Sequence, residues 1–167
     1  MEFHELEMSY NAEFDLIGSP SRRDMFERDP AIIVVEKEKQ YGLRIYNLSD
    51  IPLYPHLFYF DPSELTIIPW YLPPTGARSS NYLKTDIILP PKSSFTIGYG
   101  EGSVDPWEFM LNGITKDVGF FKLFVTTLLL DLGSISQESP YDDGNGAHNR
   151  SVGDVSAEFE PVLDSQD

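Results

Sequence analysis

Short apolar runs separated by turn residues dominate the middle of this chain. Turn signals recur about every 8–12 residues, and no stretch between 31 and 126 keeps a 3.6-residue helical period. The pattern predicts an all-β fold, an antiparallel β-sandwich of Ig-like appearance with about seven or eight strands. The clearest strand candidates are "AIIVVEK" (31–37), "LRIYN" (43–47), "HLFYF" (56–60), "LTIIPWY" (65–71), "SSFTIGYG" (93–100), "WEFML" (107–111) and "FFKLFVTT" (120–127).

Turn residues suggest how some of these strands connect. A polar turn closed by Gly42 separates 31–37 from 43–47, so we expect these two strands to pair as a hairpin. "NLSDIP" and "DPSE" predict two further turns. A short strand is also expected at 86–89.

The most apolar stretch is "GFFKLFVTTLLLDLGSI", residues 119–135. Its apolar run is about half the roughly 20 residues that a membrane-spanning helix needs, and it contains Lys122. Phenylalanine, valine and paired threonines favour a strand over 120–127. Because both faces of that strand are mostly apolar, we expect it to be central in its sheet or covered on its second face. Residues 128–130 could close the domain or face a partner.

Charge separates the flanks from the centre. The chain has 27 acidic and 12 basic residues, a formal net charge of −15. Residues 1–30 carry eight acids and three bases, and residues 137–167 carry eight acids and one base. We therefore predict three parts: an acidic N-terminal segment, 1–30, with one edge strand over 6–14; a β-sandwich domain, 31–140; and a disordered acidic tail, 141–167.

Composition also narrows the function classes. An acidic chain repels nucleic-acid phosphates and anionic membrane surfaces. With no cysteine, the chain has neither disulfides nor a thiol nucleophile. The first residues show no signal-peptide pattern, so we expect a cytoplasmic location and interpret the sequons at Asn47 and Asn149 as chance matches.

No catalytic constellation emerges from the sequence. "GYGEG" (98–102) lacks the following helix and Lys-Ser/Thr of a phosphate loop, so it is interpreted as a glycine turn. Asp105 and Glu108 flank a turn, where exposed acids are common. His4, His56 and His148 share no metal-ligand spacing. We predict no catalytic residue, no cofactor and no metal.

The better candidates for an interaction site are Trp70 and Tyr71, which precede Leu72-Pro73-Pro74. Aromatic residues beside prolines at a strand end often stay partly exposed and anchor partners. The alternative is an aromatic lid over the core of the sandwich.

The order of several motifs resembles a known domain. The matching positions are Asn47, Ser49, 57–62, Trp70, Tyr71, Pro91, 96–100, Gly119, 122–127, Asp131 and Leu132. Over about 32–140 the chain resembles a domain that follows a caspase-like, metacaspase-related peptidase domain in basidiomycete fungal proteins. It is also similar to a family of domains of unknown function attached to bacterial caspase-like peptidases and protein kinases.

The resemblance implies a non-catalytic accessory domain that binds a protein, a caspase-like peptidase domain being the implied partner. The chain departs from the pattern because the peptidase domain and its catalytic cysteine are missing, so we expect a stand-alone version or a piece of a longer protein. Two alternatives stay open: a fragment of a caspase-like cysteine endopeptidase, and a lectin-like or membrane-binding β-sandwich module.

Overall fold

The computed structural model describes residues 1–14, 16–27, 30–74, 89–100, 104–111 and 113–141. Within these ranges the chain forms seven strands in two antiparallel sheets, with two single-turn 3-10 helices at Met25–Glu27 and Gly133–Ile135. The strands are β1 (Glu2–Tyr10), β2 (Leu16–Pro20), β3 (Tyr41–Asn47), β4 (Tyr54–Asp61), β5 (Thr66–Tyr71), β6 (Ser93–Ile97) and β7 (Phe120–Thr126). The predicted all-β sandwich is confirmed.

The four-stranded sheet has the order β2-β1-β3-β6. Residues 2–5 of β1 pair with β3, and residues 6–10 pair with β2. The single edge strand predicted over 6–14 is therefore wrong: β1 lies inside the sheet, and β2 is the edge. β1 ends where the Asn11 side chain accepts a hydrogen bond from the Glu13 backbone N–H at 3.0 Å, a local turn that the even apolar spacing concealed.

Residues 31–37, predicted to be a strand, belong to none. β1 and β6 occupy the two edges of β3, so no ladder position is left for the expected hairpin. Ile33 packs against the core, whereas Ile32 and Val34 are 84% and 73% exposed. The β-branched residues of this segment favour an extended conformation, but β3 has no free edge with which the segment could pair.

The three-stranded sheet has the order β5-β4-β7, with an irregular register between Leu57 and Phe58. Of the two alternatives expected for 120–127, the central strand is wrong, because β7 is an edge and β4 is central. The other alternative, a covered second face, holds in part: Phe124 is partly buried, whereas Phe120 is exposed. Aromatic packing accounts for the apolar outer face of β7. The Phe124 ring lies edge-on to Phe58, and Lys122 Nζ lies 5.3 Å from the ring centroid of Phe124.

The segment that follows β7, residues 127–141, is called the C-terminal strap below. It contacts the outer face of the three-stranded sheet where the Leu130 carbonyl oxygen lies 3.0 Å from His56 Nε2. It reaches the opposite edge of the sheet where Gln137 and Ile67 exchange two backbone hydrogen bonds. The strap therefore runs across the face from the β7 edge to the β5 edge.

In residues 128–130 of the strap, the backbone and the side chains have different environments. Phe58, which lies on the outer face of β4, is fully buried, although it is outside the main core cluster. The side chains of Leu128, Leu129 and Leu130 are nevertheless exposed. The backbone of the strap thus helps to close the domain while its leucines face outward.

Aromatic rings fill the space between the sheets. Ring contacts link Phe3 on β1, Phe121 on β7 and Trp70 on β5, with centroid separations of 5.1 Å for Phe3 and Phe121 and 5.2 Å for Trp70 and Phe121. Further rings in the cluster are Tyr41, Tyr59, Trp107 and Phe109. The cluster includes residues from both sheets, so it joins them into a sandwich.

The described residues of two other predicted strands, 107–111 and 86–89, each contribute an isolated bridge. In "WEFML" only Trp107 forms a bridge, to Tyr41, so a strand over 107–111 is wrong. That segment contributes its aromatic rings to the core instead. Of 86–89 only Leu89 is described, and it bridges to Leu53. The predicted disordered tail lies outside the described residues, except for Tyr141.

Gly119 permits the aromatic packing at the start of β7. A Cβ at this position would overlap the Tyr59 hydroxyl and ring, and Tyr59 is itself buried in the core. Overpacking of this kind costs about 1–3 kcal/mol. We expect Gly119→Ala to lower the free energy of unfolding by that amount in urea titrations. Gly133→Ala is the control, since its Cβ would lie 3.1 Å from the exposed Asp131 carboxylate and in ordinary contact with Leu72 at 3.9 Å; equal losses in both variants would contradict the prediction.

Candidate functional site

Trp70 and Tyr71, the predicted contact residues, are buried: their exposed fractions are 4% and 8%. Trp70 donates its indole N–H to the Asp105 carbonyl oxygen at 3.1 Å. The Tyr71 ring packs against the Phe95 ring, with 4.8 Å between the ring centroids. The prediction that these two side chains are partly exposed, on which the contact hypothesis depended, is therefore wrong. The side chains form the aromatic lid that was the alternative.

Burial raises the pKa of Tyr71 well above its usual range, because ionisation would leave a phenolate in apolar surroundings. The unfolded chain ionises near the ordinary value of about 10. Below about pH 10 the phenol is neutral in both states, and its ionisation does not affect stability. Above about pH 10 the unfolded chain ionises while folded Tyr71 stays neutral, so the free energy of unfolding falls as the pH rises. We expect Tyr71→Phe to lose less stability than the wild type between about pH 8.5 and about pH 11 in urea titrations; identical slopes would contradict this.

The remaining chemical candidates have structural partners. Gly98 and Gly100 have φ of 83° and 76°, as a glycine turn requires. Glu108 accepts a hydrogen bond from the Gln40 side chain at 2.7 Å, and Asp105 contributes the carbonyl that holds Trp70. These residues do not converge on a shared site.

The two described histidines lie in different sheets. His4 Nδ1 lies 3.0 Å from the Arg23 carbonyl oxygen, and His56 contacts the strap. His148 lies outside the described residues. In the part of the chain that the structure describes, no group of three or more His, Asp or Glu side chains could hold a metal ion.

Asn47 stabilises the junction between the end of β3, the turn that follows it and residues 89–90 through side-chain hydrogen bonds. It is almost fully buried, and its Nδ2 lies within 3.2 Å of three backbone carbonyl oxygens, those of Ile51, Leu89 and Pro90. Its Oδ1 accepts from the Ser49 N–H and hydroxyl at 2.9 and 2.7 Å. The Asn-x-Ser motif therefore ties the end of β3 to the turn before β4. The amide nitrogen that a glycan would need is buried and engaged.

Removing the Asn47 side-chain amide should destabilise this junction. Asn47→Ala removes one donor from each of three backbone carbonyls and leaves the Ser49 N–H without its acceptor, and a buried group that loses its partner costs about 1–3 kcal/mol. We expect a stability loss of about 2–3 kcal/mol in thermal or urea unfolding. Asn11→Ala, which removes an exposed turn acceptor, should cost about 0.5–1 kcal/mol. Similar losses at both sites would show that burial of Asn47 contributes little.

A cluster of exposed apolar side chains lies on the hairpin of β1 and β2. Beyond residue 6, β1 has no pairing with β3, so residues 7–10 and 16–19 form a two-stranded ribbon. Tyr10 and Leu16 face each other in its register, and Ile17, opposite Ser9, lies on the other face of the ribbon. These three side chains and Phe14 in the turn are exposed. We call these four residues the hairpin tip.

Phe14 is the most informative residue of the hairpin tip. Its φ is 64°, in the left-handed region where a bulky side chain costs on the order of 1 kcal/mol or more. It is also 85% exposed, so its ring gives the core almost nothing in return. Glycine or asparagine would suit folding better at this position. The aromatic ring is therefore unexplained by stability alone.

The charge around the hairpin tip has one sign. Residues 2–20 contain five acidic residues and no lysine or arginine, and the acidic side chains of Glu7 and Glu13 are exposed. β2 contains no charged residue, and among the described strands it has a neighbour on one side only. The hairpin thus combines an open strand edge, exposed apolar groups and negative charge.

Sequence reasoning missed this surface because the acidic composition of residues 1–30 suggested a flanking segment. Two signals were available: Asn11, a frequent turn residue, and the pair Gly18 and Pro20, which is typical of an edge strand.

No protein-family model, curated protein or solved structure matches this chain. Among the described residues, no helix is long and apolar enough to cross a membrane.

Proposed function

We propose that this chain is a non-catalytic protein-interaction domain that binds its partner through the hairpin tip. The observation that carries the proposal is Phe14, an exposed aromatic residue in a costly backbone conformation. Strain at a position where folding gains nothing is typical of functional surfaces. Aromatic side chains are also frequent anchors of protein interfaces.

The chemistry of the hairpin supports one class of partner. A free strand edge can accept an extended segment as an additional strand, with backbone hydrogen bonds for affinity. The surrounding acids favour a segment that carries lysine or arginine, and the hairpin tip favours apolar side chains beside them. We therefore propose a basic, apolar, extended protein segment as the ligand.

The resemblance to domains of caspase-like peptidases makes such a peptidase domain the first whole protein to test. The enzyme-fragment and lectin-like alternatives lack a supporting observation here, since Asp105, Glu108, His4 and His56 do not share a site. A peptide-cleavage assay and glycan or liposome binding assays on this chain should therefore be negative.

The binding test uses Phe14→Asn with Leu65→Asn as its matched control. Leu65 also has a positive φ, 54°, and is 44% exposed, but it lies in the turn between β4 and β5. Asparagine tolerates this conformation, so both variants should be at least as stable as the wild type. A displayed library of random peptides should yield binders that alternate basic and apolar residues.

Binding of these peptides should fall at least about tenfold in Phe14→Asn and stay unchanged in Leu65→Asn, as measured by calorimetry. Raised salt should also weaken it, because the charge attraction is screened. The proposal fails if the library yields no binders, or if both variants bind like the wild type.

A further inference from the structure

β7 is an edge strand, with β4 on one side and no described strand on the other. It is the longest of the four edge strands in the described sheets, and its register with β4 runs through seven consecutive pairs without a bulge. It contains no proline, and Lys122 is its single charge, whereas natural edge strands usually carry prolines, charges or bulges that prevent pairing with another chain. The edge of β7 is therefore open to a further strand.

Backbone contacts on the far side of the sheet show which groups of β7 face outward. Ile67 exchanges backbone hydrogen bonds with Gln137 at 2.9 and 3.0 Å, so its N–H and C=O groups point away from its partner on β4, Phe60. Because bonding alternates along an antiparallel ladder, Phe60 directs its own backbone groups to β7, where it pairs with Phe120. Every second residue of β7, starting with Phe121, then points its N–H and C=O groups to the free edge. These residues are Phe121, Leu123 and Val125.

Pro55 agrees with this assignment, because it has no N–H and lies opposite Val125, where the ladder between β4 and β7 requires none. The outward groups also match those of a second copy across a two-fold axis. In the antiparallel register centred on Leu123, this residue faces Leu123 of the second copy, and Phe121 faces Val125. Each of these pairs can exchange N–H···O=C hydrogen bonds, so the edge of β7 is complementary to itself.

The side chains of β7 fit the same register. Val125 is 45% exposed, and it would lie opposite the Phe121 ring of the second copy. Lys122 would lie opposite Phe124 of the second copy. Within one chain its Nζ is 5.3 Å from the ring centroids of both Phe60 and Phe124, so pairing places the same cation beside a further aromatic ring.

Charge favours the β7 edge over the β2 edge as the place where two copies meet. Each chain has a net charge of −15, so two copies repel each other. Residues 118–130, which include β7, contain no acidic residue and one base. Residues 2–20, which include β2, contain five acidic residues and no lysine or arginine. Repulsion is therefore weaker at the β7 edge.

We propose that two copies of this chain pair through β7, so that their three-stranded sheets join into one continuous sheet with the order β5-β4-β7-β7-β4-β5. The two-fold axis passes beside Leu123. This pairing uses no residue of the hairpin tip, so it is independent of the function proposed above.

Sedimentation and nuclear magnetic resonance on the full-length chain, from micromolar to millimolar concentration, test the proposal. The sedimenting mass should rise from that of one chain to that of two. Raised salt should favour the dimer, because it screens the repulsion between two acidic chains. The amides of Phe121, Leu123 and Val125 should become protected from exchange as the dimer forms. Those of Lys122 and Phe124, which point to β4, should be protected at every concentration.

Val125→Lys adds a second charge to the edge and should raise the dissociation constant of the dimer at least about tenfold. Val34→Lys is the matched control: Val34 is 73% exposed and lies outside the described strands, so the constant should not change. The proposal is overturned if the mass stays that of one chain, or if a dimer forms while the three outward amides still exchange freely. It is also overturned if Phe14→Asn, and not Val125→Lys, separates the copies. Should Val125→Lys not fold, the amide pattern of the wild type decides.

Discussion

Packing of aromatic rings between the two sheets is the interaction on which the rest of this structure depends. Phe3 enters from β1, Phe121 from β7 and Trp70 from β5, so the cluster joins elements that are far apart in the chain. Each ring buries a large apolar area, and tilted or edge-on contacts add to it. Because Phe3 belongs to this cluster, the acidic N-terminal residues are held as part of the sheet and the hairpin beyond them is positioned in space.

The buried polar residues and the exposed apolar residues of the hairpin tip have different roles. Asn47 and Asp61, both buried, shape turns by binding backbone N–H groups, which explains why these positions stand out in the sequence without forming a site. The hairpin tip, by contrast, contributes little to folding. A surface whose residues are poorly explained by stability is the better place to seek function, since folding alone does not require them.

Local chemistry predicted much of the fold. Alternation at Leu43 and Ile45 located β3, and "DPSE" located the turn after β4. Strand partners could not be deduced in the same way, because pairing depends on contacts between distant residues. Residues 31–37 have strand propensity, but β1 occupies the edge of β3 with which they were expected to pair. β7 looked central because both of its faces are mostly apolar, yet it is an edge strand. The candidate site was misplaced for a related reason: Trp70 and Phe14 are both aromatic, and only their burial and backbone angles distinguish a core residue from a surface anchor.

The position of the strap in the chain also affects how the protein folds during synthesis. Residues 127–141 leave the ribosome after the seven described strands, yet they contribute the Leu130 carbonyl that contacts buried His56 and the Gln137 backbone that pairs with β5. Until then the β5 edge of the nascent sheet is unpaired, and an unpaired edge promotes association between partly folded chains. The ladder of β1 and β3 must likewise wait for distant residues to meet, which slows folding. Completion of the strap is therefore the step that ends the period in which the new chain is prone to aggregation.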